Sequence, residues 1–323
     1  MRDSILKKAA AAAAASAAAL TAGTVAVGVQ YFNTVVMRNG RKQLTNLSEL
    51  PDDKLMEYAK INDEVREWLK EQELEKVCIR SIDNLTLRAS VLMSKNQTDK
   101  FAVLFHGYRS RGLESMAQYA KIYYDMGFNV IIPDARAHGE SDGKYIGMGV
   151  LDRFDCLRWV EYINGAYGKT SRIVLHGASM GASTVLMAAE LFKDDDNVMA
   201  IVADSAFTNA WEVLSLELKK YFKIKFLPIL QVADEICKRT AGYSFKDGDA
   251  RKSLANSHIP VMLIHGSDDK LIPLQMTYDN YDLCAAEKKE LFIAEGAGHV
   301  CAHYEHKDEY ERRLKRFIDG CLQ

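Results

Sequence analysis

The stretch VLHGASMGAS, from Val174 to Ser183, joins an apolar run to a series of small residues. At its centre Ser179 stands in the pentapeptide GASMG, between Gly177 and Gly181. Glycines at these two positions leave room for a sharp turn from a strand to a helix, which exposes the serine hydroxyl. Such a pentapeptide also occurs by chance, so the function of Ser179 depends on partners elsewhere in the chain.

Apolar runs alternate with segments of helical periodicity on both sides of this stretch. The runs are FAVLFHG, NVIIPDAR, RIVLHGAS, VMAIVADSAF, PVMLIHGSDD and ELFIAEGAGH. Strands that are apolar throughout and separated by helices indicate a parallel sheet that is covered on both faces. The sequence therefore predicts an α/β fold.

Three other segments complete the predicted architecture. Residues 48–76 have the spacing of an amphipathic helix, and the two short runs around Asp83 and Asn84 predict a hairpin. Residues 207–259 are too long for a simple loop and predict a helical insertion over the sheet. The aromatic side chains of this insertion either line an acyl pocket or belong to the core; they are Phe207, Trp211, Tyr221, Phe222 and Phe226.

A nucleophilic serine needs a base, and the base needs an acid that orients it. Asp268 and Asp269 come directly after one apolar run, and His299 comes directly after the next. Functional groups of a doubly wound sheet gather at the carboxyl ends of its strands, and the order serine, acid, histidine is the one expected after such a turn. We therefore predict a catalytic triad formed by Ser179, His299 and one of the two aspartates.

The motifs GASMG, HGSDDKLIP, GAGH and FHGY…PDARAHGESDG together resemble the α/β-hydrolase superfamily over residues 75–320. Within it, the chain is similar to bacterial esterases and serine-aminopeptidase-like hydrolases, some of which carry an N-terminal anchor. The resemblance implies an α/β-hydrolase fold: a mostly parallel central sheet, helices on both faces and a short helical cap before the acid-bearing strand. The family pattern H-G-x-x-D-x-x-[VI]-P selects Asp269, and Asp268 stays the alternative.

By this resemblance, Ser179 attacks an acyl carbonyl, His299 takes its proton and Asp269 orients the imidazole. The oxyanion needs fixed donors, and the backbone N–H groups of Tyr108 and Met180 are the candidates. The polar groups of the loop DARAHGESDG are interpreted as fastening that loop rather than as catalytic.

The predicted function is a serine hydrolase that cleaves carboxylic esters of small molecules or short acyl or peptidyl substrates. A peptidase or aminopeptidase, or an acyltransferase, is the alternative, since an acyl-enzyme serves all of these reactions. An aminopeptidase would need a carboxylate for the substrate amine, and Glu212, Glu217 and Asp234 are equal candidates. A non-catalytic binding module is less expected, because all three triad residues are present.

Neither a cofactor nor a nucleic-acid partner is expected. The chain has no G-x-G-x-x-G at a strand end and no P-loop, and its net charge is −2. His299, His303 and His306 have a spacing that resembles metal ligands, but no carboxylate or cysteine set accompanies them, so no metal is expected.

Residues 9–37 form an uncharged, alanine-rich stretch after Lys7 and Lys8. Its length suits a membrane-spanning helix, and the alternatives are a cleaved signal peptide and a disordered or loosely helical tail. Basic residues are equally frequent on both sides of the stretch, so the side of the membrane stays open. The predicted division is an anchor or signal segment at 1–42 and an α/β-hydrolase domain at 43–323, and the predicted location is membrane-anchored or exported.

Overall fold

One mixed sheet forms the centre of the molecule. The structure, a computed structural model, describes residues 22–40, 52–193, 196–222 and 228–322. Its strands are β1 (Leu74–Arg80), β2 (Thr86–Leu92), β3 (Lys100–Phe105), β4 (Asn129–Pro133), β5 (Arg172–Ala178), β6 (Val198–Asp204), β7 (Val261–Gly266) and β8 (Lys289–Ala294). Within the described residues they are ordered β1-β2-β4-β3-β5-β6-β7-β8. The hairpin β1–β2 is antiparallel and β2 pairs antiparallel with β4, whereas β3 to β8 are parallel to one another. The predicted hairpin and the predicted parallel sheet are both confirmed.

Helices cover both faces of this sheet. They are α1 (residues 22–35), α2 (Asp52–Lys70), α3 (Gly112–Asp125), α4 (Asp152–Tyr167), α5 (Met180–Ala188), α6 (Ala210–Phe222), α7 (Ile229–Thr240), α8 (Ala250–Ala255), α9 (Leu274–Leu283), α10 (Ala302–Glu305) and α11 (Lys307–Cys321). Strand β3 shows why the central strands are apolar at every position instead of alternating between apolar and polar residues. Phe101 and Val103 enter the core with α4 and α5, while Ala102 and Leu104 enter the core with α3 and α11. The α/β-hydrolase fold class is therefore confirmed.

The insertion between β6 and β7 is helical, as predicted. It contains α6, α7 and α8, whose apolar side chains join the larger core cluster. Phe207 is buried in this cluster and Trp211 packs against it, whereas Phe226 lies outside the described residues. The insertion is thus an integral layer of the fold.

The described part of the predicted anchor packs on the folded domain. Helix α1 buries Tyr31 and Phe32 in the larger core cluster, and the Tyr31 hydroxyl donates to the carbonyl of Leu214 at 3.1 Å. A Cβ on Gly28 would lie 2.5 Å from Cγ1 of Val232, so α1 and α7 approach closely. Over the ranges just given, no helix is both long and apolar enough to cross a bilayer. Residues 9–21 of the predicted anchor, and the predicted boundary at residue 42, lie outside those ranges.

Candidate active site

Ser179 occupies the turn between β5 and α5 with φ 55° and ψ −116°, a conformation that residues with a Cβ rarely adopt. The flanking glycines make this turn possible. A Cβ on Gly177 would overlap the backbone of Gly181, and a Cβ on Gly181 would overlap the carbonyl of Phe105. The backbone N–H of Ser179 donates to the carbonyl of Asp204 at 2.8 Å, which ties the turn to the end of β6. The result is a half-buried side chain on a strained backbone.

The structure brings together the three residues that the sequence predicts as a triad. Nε2 of His299 lies 2.8 Å from Oγ of Ser179, and Nδ1 of His299 lies 2.7 Å from Oδ2 of Asp269. The other carboxylate oxygen, Oδ1, accepts the backbone N–H groups of Leu271 and Ile272 at 2.8 and 2.9 Å. The alternative acid, Asp268, is exposed and accepts a hydrogen bond from Ser267 instead.

The environment of Asp269 favours its ionised form. Burial by itself would raise the pKa of this carboxyl, but the facing His299 and hydrogen bonds from His265 and His299 outweigh it, so the pKa lies well below its usual range. His265, which sequence analysis did not assign a role, is fully buried beside Asp269. Its Nε2 lies 3.0 Å from the carbonyl of Ile272 and 3.2 Å from Oδ2 of Asp269. Since both of these oxygens only accept, Nε2 carries the hydrogen, and the Thr277 hydroxyl donates to Nδ1 at 2.7 Å.

The two predicted oxyanion donors line the same cavity as Ser179. Met180 is the first residue of α5, and Tyr108 follows Gly107, where a Cβ would lie 3.3 Å from Cβ of Ser179. The backbone after β3 therefore passes directly beside the serine. The hydroxyl of Tyr108 donates to the carbonyl of Val35 at 2.8 Å, so its side chain is bound to the N-terminal segment.

A buried polar pair at the end of β6 supports both Ser179 and the His299 loop. The hydroxyl of Ser205 donates to Asp204 at 3.0 Å and accepts the backbone N–H of Val300 at 3.1 Å. Tyr119 and Tyr310 donate to the other oxygen of Asp204, each at 3.3 Å, and burial raises the pKa of this carboxyl. Sequence analysis missed this pair, although two polar residues directly after an apolar run were a usable signal.

The loop Asp134–Gly143 is held by its own polar groups. Asp134 accepts the backbone N–H groups of Gly112 and Glu140 at 2.9 and 2.8 Å. Arg136, buried almost completely, forms ion pairs with Asp155 and Asp83. These contacts agree with the interpretation that the polar residues fasten the loop.

The cavity at Ser179 has a volume of about 660 Å³, within the range of small-molecule sites. Part of its lining is apolar and comes from the loop before α4, the insertion and the loop after β7: Met148, Phe207, Val213, Leu214, Leu271 and Ile272. Another part is polar and comes from α2, α3 and α10. Helix α2 contributes Tyr58, Asn62 and Arg66, and Tyr58 stacks on Tyr304 with ring centroids 4.4 Å apart. The sequence predicted α2 but not its place at the cavity.

The structure separates the three carboxylates of the insertion. Glu212 pairs with Arg251 at 2.8 Å, and Asp234 accepts hydrogen bonds from Ser244 and from the N–H of Phe245. Glu217 lines the cavity.

The histidines of the metal-like spacing have separate contacts. His303 lies 3.1 Å from a carboxylate oxygen of Glu311, and Nε2 of His306 lies 2.8 Å from the carbonyl of Glu295. Over the part of the chain that the structure describes, no group of three or more metal-ligating side chains comes together.

Comparisons with known proteins agree with this fold. The sequence pattern of the prolyl oligopeptidase family matches residues 114–323. The protein YqkD of Bacillus subtilis is 28% identical over 228 residues, which cover 71% of this chain and 74% of YqkD. Human ABHD12B is 29% identical over 188 residues, which cover 56% of this chain and 49% of ABHD12B, so the chain spans about half the length of that relative. The membrane protein YNL320W of Saccharomyces cerevisiae is 21% identical over 276 residues, covering 85% of this chain and 84% of the relative.

Among solved structures, the esterase Pf2001 of Pyrococcus furiosus has the same fold. It superposes with a TM-score of 0.63 at 23% sequence identity, covering 77% of this chain and 91% of the esterase. Fold and family pattern together define a serine hydrolase of the α/β-hydrolase type. The chain belongs to the prolyl oligopeptidase family.

Proposed function

We propose that the chain hydrolyses carboxylic esters through an acyl-enzyme on Ser179, with His299 as the general base and Asp269 as its orienting acid. The observation that carries this proposal is the continuous hydrogen-bonded chain from Oγ of Ser179 to Oδ2 of Asp269, with distances of 2.8 and 2.7 Å. Both distances are within the range in which a base can take a proton from a nucleophile.

The reaction proceeds in two halves. Oγ of Ser179 attacks the ester carbonyl while its proton passes to Nε2 of His299, and collapse of the tetrahedral intermediate expels the alcohol, which takes that proton. Water, activated by His299, then hydrolyses the acyl-enzyme and frees Ser179. Asp269 stays ionised because its pKa is lowered, so it stabilises the imidazolium that forms in each half.

The oxyanion of each intermediate forms next to Gly107 and the start of α5. We assign its donors to the backbone N–H groups of Tyr108 and Met180, both of which line the cavity. One such donor typically contributes about 3 kcal/mol to the transition state.

The lining of the cavity supports an apolar acyl group of moderate size. Side chains such as Met148, Phe207 and Leu214 stand near the nucleophile in a space of about 660 Å³. The structural neighbour from Pyrococcus furiosus is itself named an esterase.

Amide hydrolysis is the second candidate, because the chain belongs to the prolyl oligopeptidase family. The same triad would form the acyl-enzyme, and His299 would protonate the leaving amine. Glu217 is then the candidate for binding a substrate amine, since it is the one of the three insertion carboxylates that lines the cavity.

Labelling with a fluorophosphonate tests the proposal directly. We expect the wild-type chain to be labelled and to hydrolyse p-nitrophenyl esters, and Ser179→Ala to do neither. Cys301→Ser is the matched control, because it removes a thiol that lines the same cavity and should leave labelling unchanged.

A folded wild-type chain that resists labelling would contradict the proposal. A panel of p-nitrophenyl esters of rising chain length and aminoacyl p-nitroanilides separates the two candidates. Higher kcat/KM for the anilides than for every ester would favour the amide hydrolase.

A further inference from the structure

One arginine joins the N-terminal segment to the turn that carries Tyr108. We call residues 34–40 the strap. The guanidinium of Arg109 uses all five of its N–H groups: one donates to the Tyr108 hydroxyl at 2.8 Å, and the other four donate to strap carbonyls. Those carbonyls belong to Thr34, Met37, Arg38 and Gly40, at 2.6, 2.9, 3.1 and 3.0 Å. A half-buried arginine with this many backbone partners fixes both segments relative to each other.

Arg109 is also strained. Its φ is 53°, within a turn that is closed by the hydrogen bond from Ser110 N–H to the carbonyl of Gly107 at 3.3 Å. Glycine is the residue that adopts this conformation at the lowest cost. A glycine, however, could not hold the strap, so the side chain of Arg109 explains why the strained position carries an arginine.

The turn determines where the predicted oxyanion donor points. The Gly107–Tyr108 peptide is planar, so the N–H of Tyr108 points opposite to the carbonyl of Gly107. That carbonyl is held by Ser110 N–H and lies 2.8 Å from Nδ1 of His106. The orientation of the Tyr108 N–H therefore depends on the shape of the turn. Two groups of Arg109 hold this turn: its backbone N–H, which donates to Nε2 of His138 at 3.0 Å, and its guanidinium, which binds the strap.

The strap has a second, independent attachment that makes it a firm support. The guanidinium of Arg38 donates to the carbonyls of Gly139 and Ser141, both at 2.6 Å. The N–H of Ile146 donates to the carbonyl of Val36 at 2.7 Å, and Met37 pairs with Tyr145 in an antiparallel bridge. Arg109 thus braces the turn against a segment that is already bound to the body of the domain.

We propose that Arg109 is a positioning residue, and that the strap is the support against which it holds the Tyr108 N–H toward the oxyanion. This proposal rests on the proposed function, because it concerns the same acyl transfer. It assigns part of the predicted N-terminal anchor to the catalytic site. Loss of the brace should lower kcat and leave KM nearly unchanged, because the oxyanion exists only in the transition state and the intermediates.

The test compares Arg109→Ala and Arg109→Lys in the full chain, with p-nitrophenyl butyrate as substrate. We expect kcat to fall about 10- to 100-fold in Arg109→Ala, less than the loss of a whole donor, with KM within about threefold. Lysine keeps the charge but has three N–H donors on one nitrogen in place of five on a planar fork, so Arg109→Lys should restore only part of kcat. The Ki of phenylboronic acid, which forms a tetrahedral adduct, should rise by the factor by which kcat/KM falls.

Arg172→Ala is the matched control. Arg172 binds Asp99 and the carbonyl of Leu322 at the amino end of β5, away from the cavity, so its loss should lower Tm without changing kcat. Unchanged kcat in Arg109→Ala, or a loss expressed only in KM, would overturn the proposal. If Arg109→Ala does not fold, a wild-type kcat and boronate Ki in Arg109→Lys would overturn it equally. Failure of the proposed function is separate, since the wild-type chain would then not react with the fluorophosphonate at all.

Discussion

Asp269→Asn tests the proposed triad, because it replaces the carboxylate oxygen that faces Nδ1 of His299. In the structure, Oδ1 of Asp269 accepts two backbone N–H groups and Oδ2 faces Nδ1 of His299. An asparagine amide has one oxygen and one NH2 group. If the NH2 group faced the backbone donors of Leu271 and Ile272, two buried N–H groups would lose their acceptor, at a cost of about 1–3 kcal/mol each. The amide must therefore keep its oxygen there and present its NH2 group to His299.

This orientation forces the wrong tautomer on His299. Nδ1 must then accept from the amide, so the imidazole hydrogen moves to Nε2, which faces Ser179 and can no longer take its proton. In a serine protease the equivalent change lowers kcat about 10⁴-fold, which corresponds to about 5.4 kcal/mol of transition-state stabilisation. Here we expect a loss of about 10³- to 10⁴-fold, because the Asp269 carboxylate is buried and bonded in the same way.

The assay is steady-state hydrolysis of p-nitrophenyl butyrate, with the rate of fluorophosphonate labelling as a second measure. Asp268→Asn removes the same charge from the exposed neighbour and should keep kcat within about threefold of the wild type. A folded Asp269→Asn enzyme within tenfold of wild-type kcat would refute the tautomer argument. A large loss in Asp268→Asn alone would make Asp268 the acid.

Two further predictions concern the elbow and the buried histidine beneath it. Gly181→Ala places a Cβ against the carbonyls of Phe105 and His106, so the backbone must shift by about 1 Å, and we expect at least about 100-fold slower labelling. Gly165→Ala on α4, where a Cβ meets nothing within 4 Å, is its control, and equal labelling rates in the two variants would contradict the packing argument. The second prediction concerns His176. Burial is the larger cause and the nearby His303 the smaller cause that lowers its pKa to about 3. Between pH 6.5 and pH 3, His176 is therefore neutral in the native state but protonated in the unfolded chain. The free energy of unfolding should therefore fall as the pH drops from 6.5 toward 3, and His176→Asn should remove about 2 kcal/mol of that loss at pH 5. Urea unfolding of both proteins at pH 7 and pH 5 measures the difference. The same pH dependence in the variant and the wild type would count against this assignment to His176.

The sheet and the proximity of the three candidate triad residues were predictable because both follow from local patterns. Strands β3 to β7 are buried on both faces over most of their length, which leaves unbroken apolar runs in the sequence. Parallel strands end at the same edge, so residues that directly follow β5, β7 and β8 must lie near one another. For this reason Ser179, Asp269 and His299 come together in the structure as predicted, although 120 residues separate the serine from the histidine.

Contacts that depend on distant segments could not be predicted in this way. The apolar residues of α1 predict only that something apolar covers them, and hydropathy cannot separate lipid from protein. Their cover here includes the insertion, since Tyr31 donates to Leu214, 183 residues later. The role of Ser205 was missed for the same reason, because Ser205 acts on the loop that follows β8. The role of His265 is more local, since its partner Asp269 lies only four residues later, but an apolar run that ends in a histidine does not by itself indicate that contact.

Four residues with a strained backbone lie in loops at the carboxyl edge of the sheet. Ser179, Ser205 and Val300 have φ of 55°, 59° and 56°, and Arg109 has φ of 53°. Each of these conformations costs on the order of 1–2 kcal/mol in a residue with a Cβ, and most in a β-branched valine. Glycine would remove that cost, but it would also remove the Ser179 hydroxyl, the Ser205 hydroxyl that fixes the His299 loop, and the Arg109 brace. The side chain of Val300 supplies no such polar contact, but its backbone N–H donates to Ser205 and so holds the loop that carries His299. The strain thus coincides with the groups that the proposed acyl transfer needs in fixed positions, as expected of a site preorganised for an oxyanion.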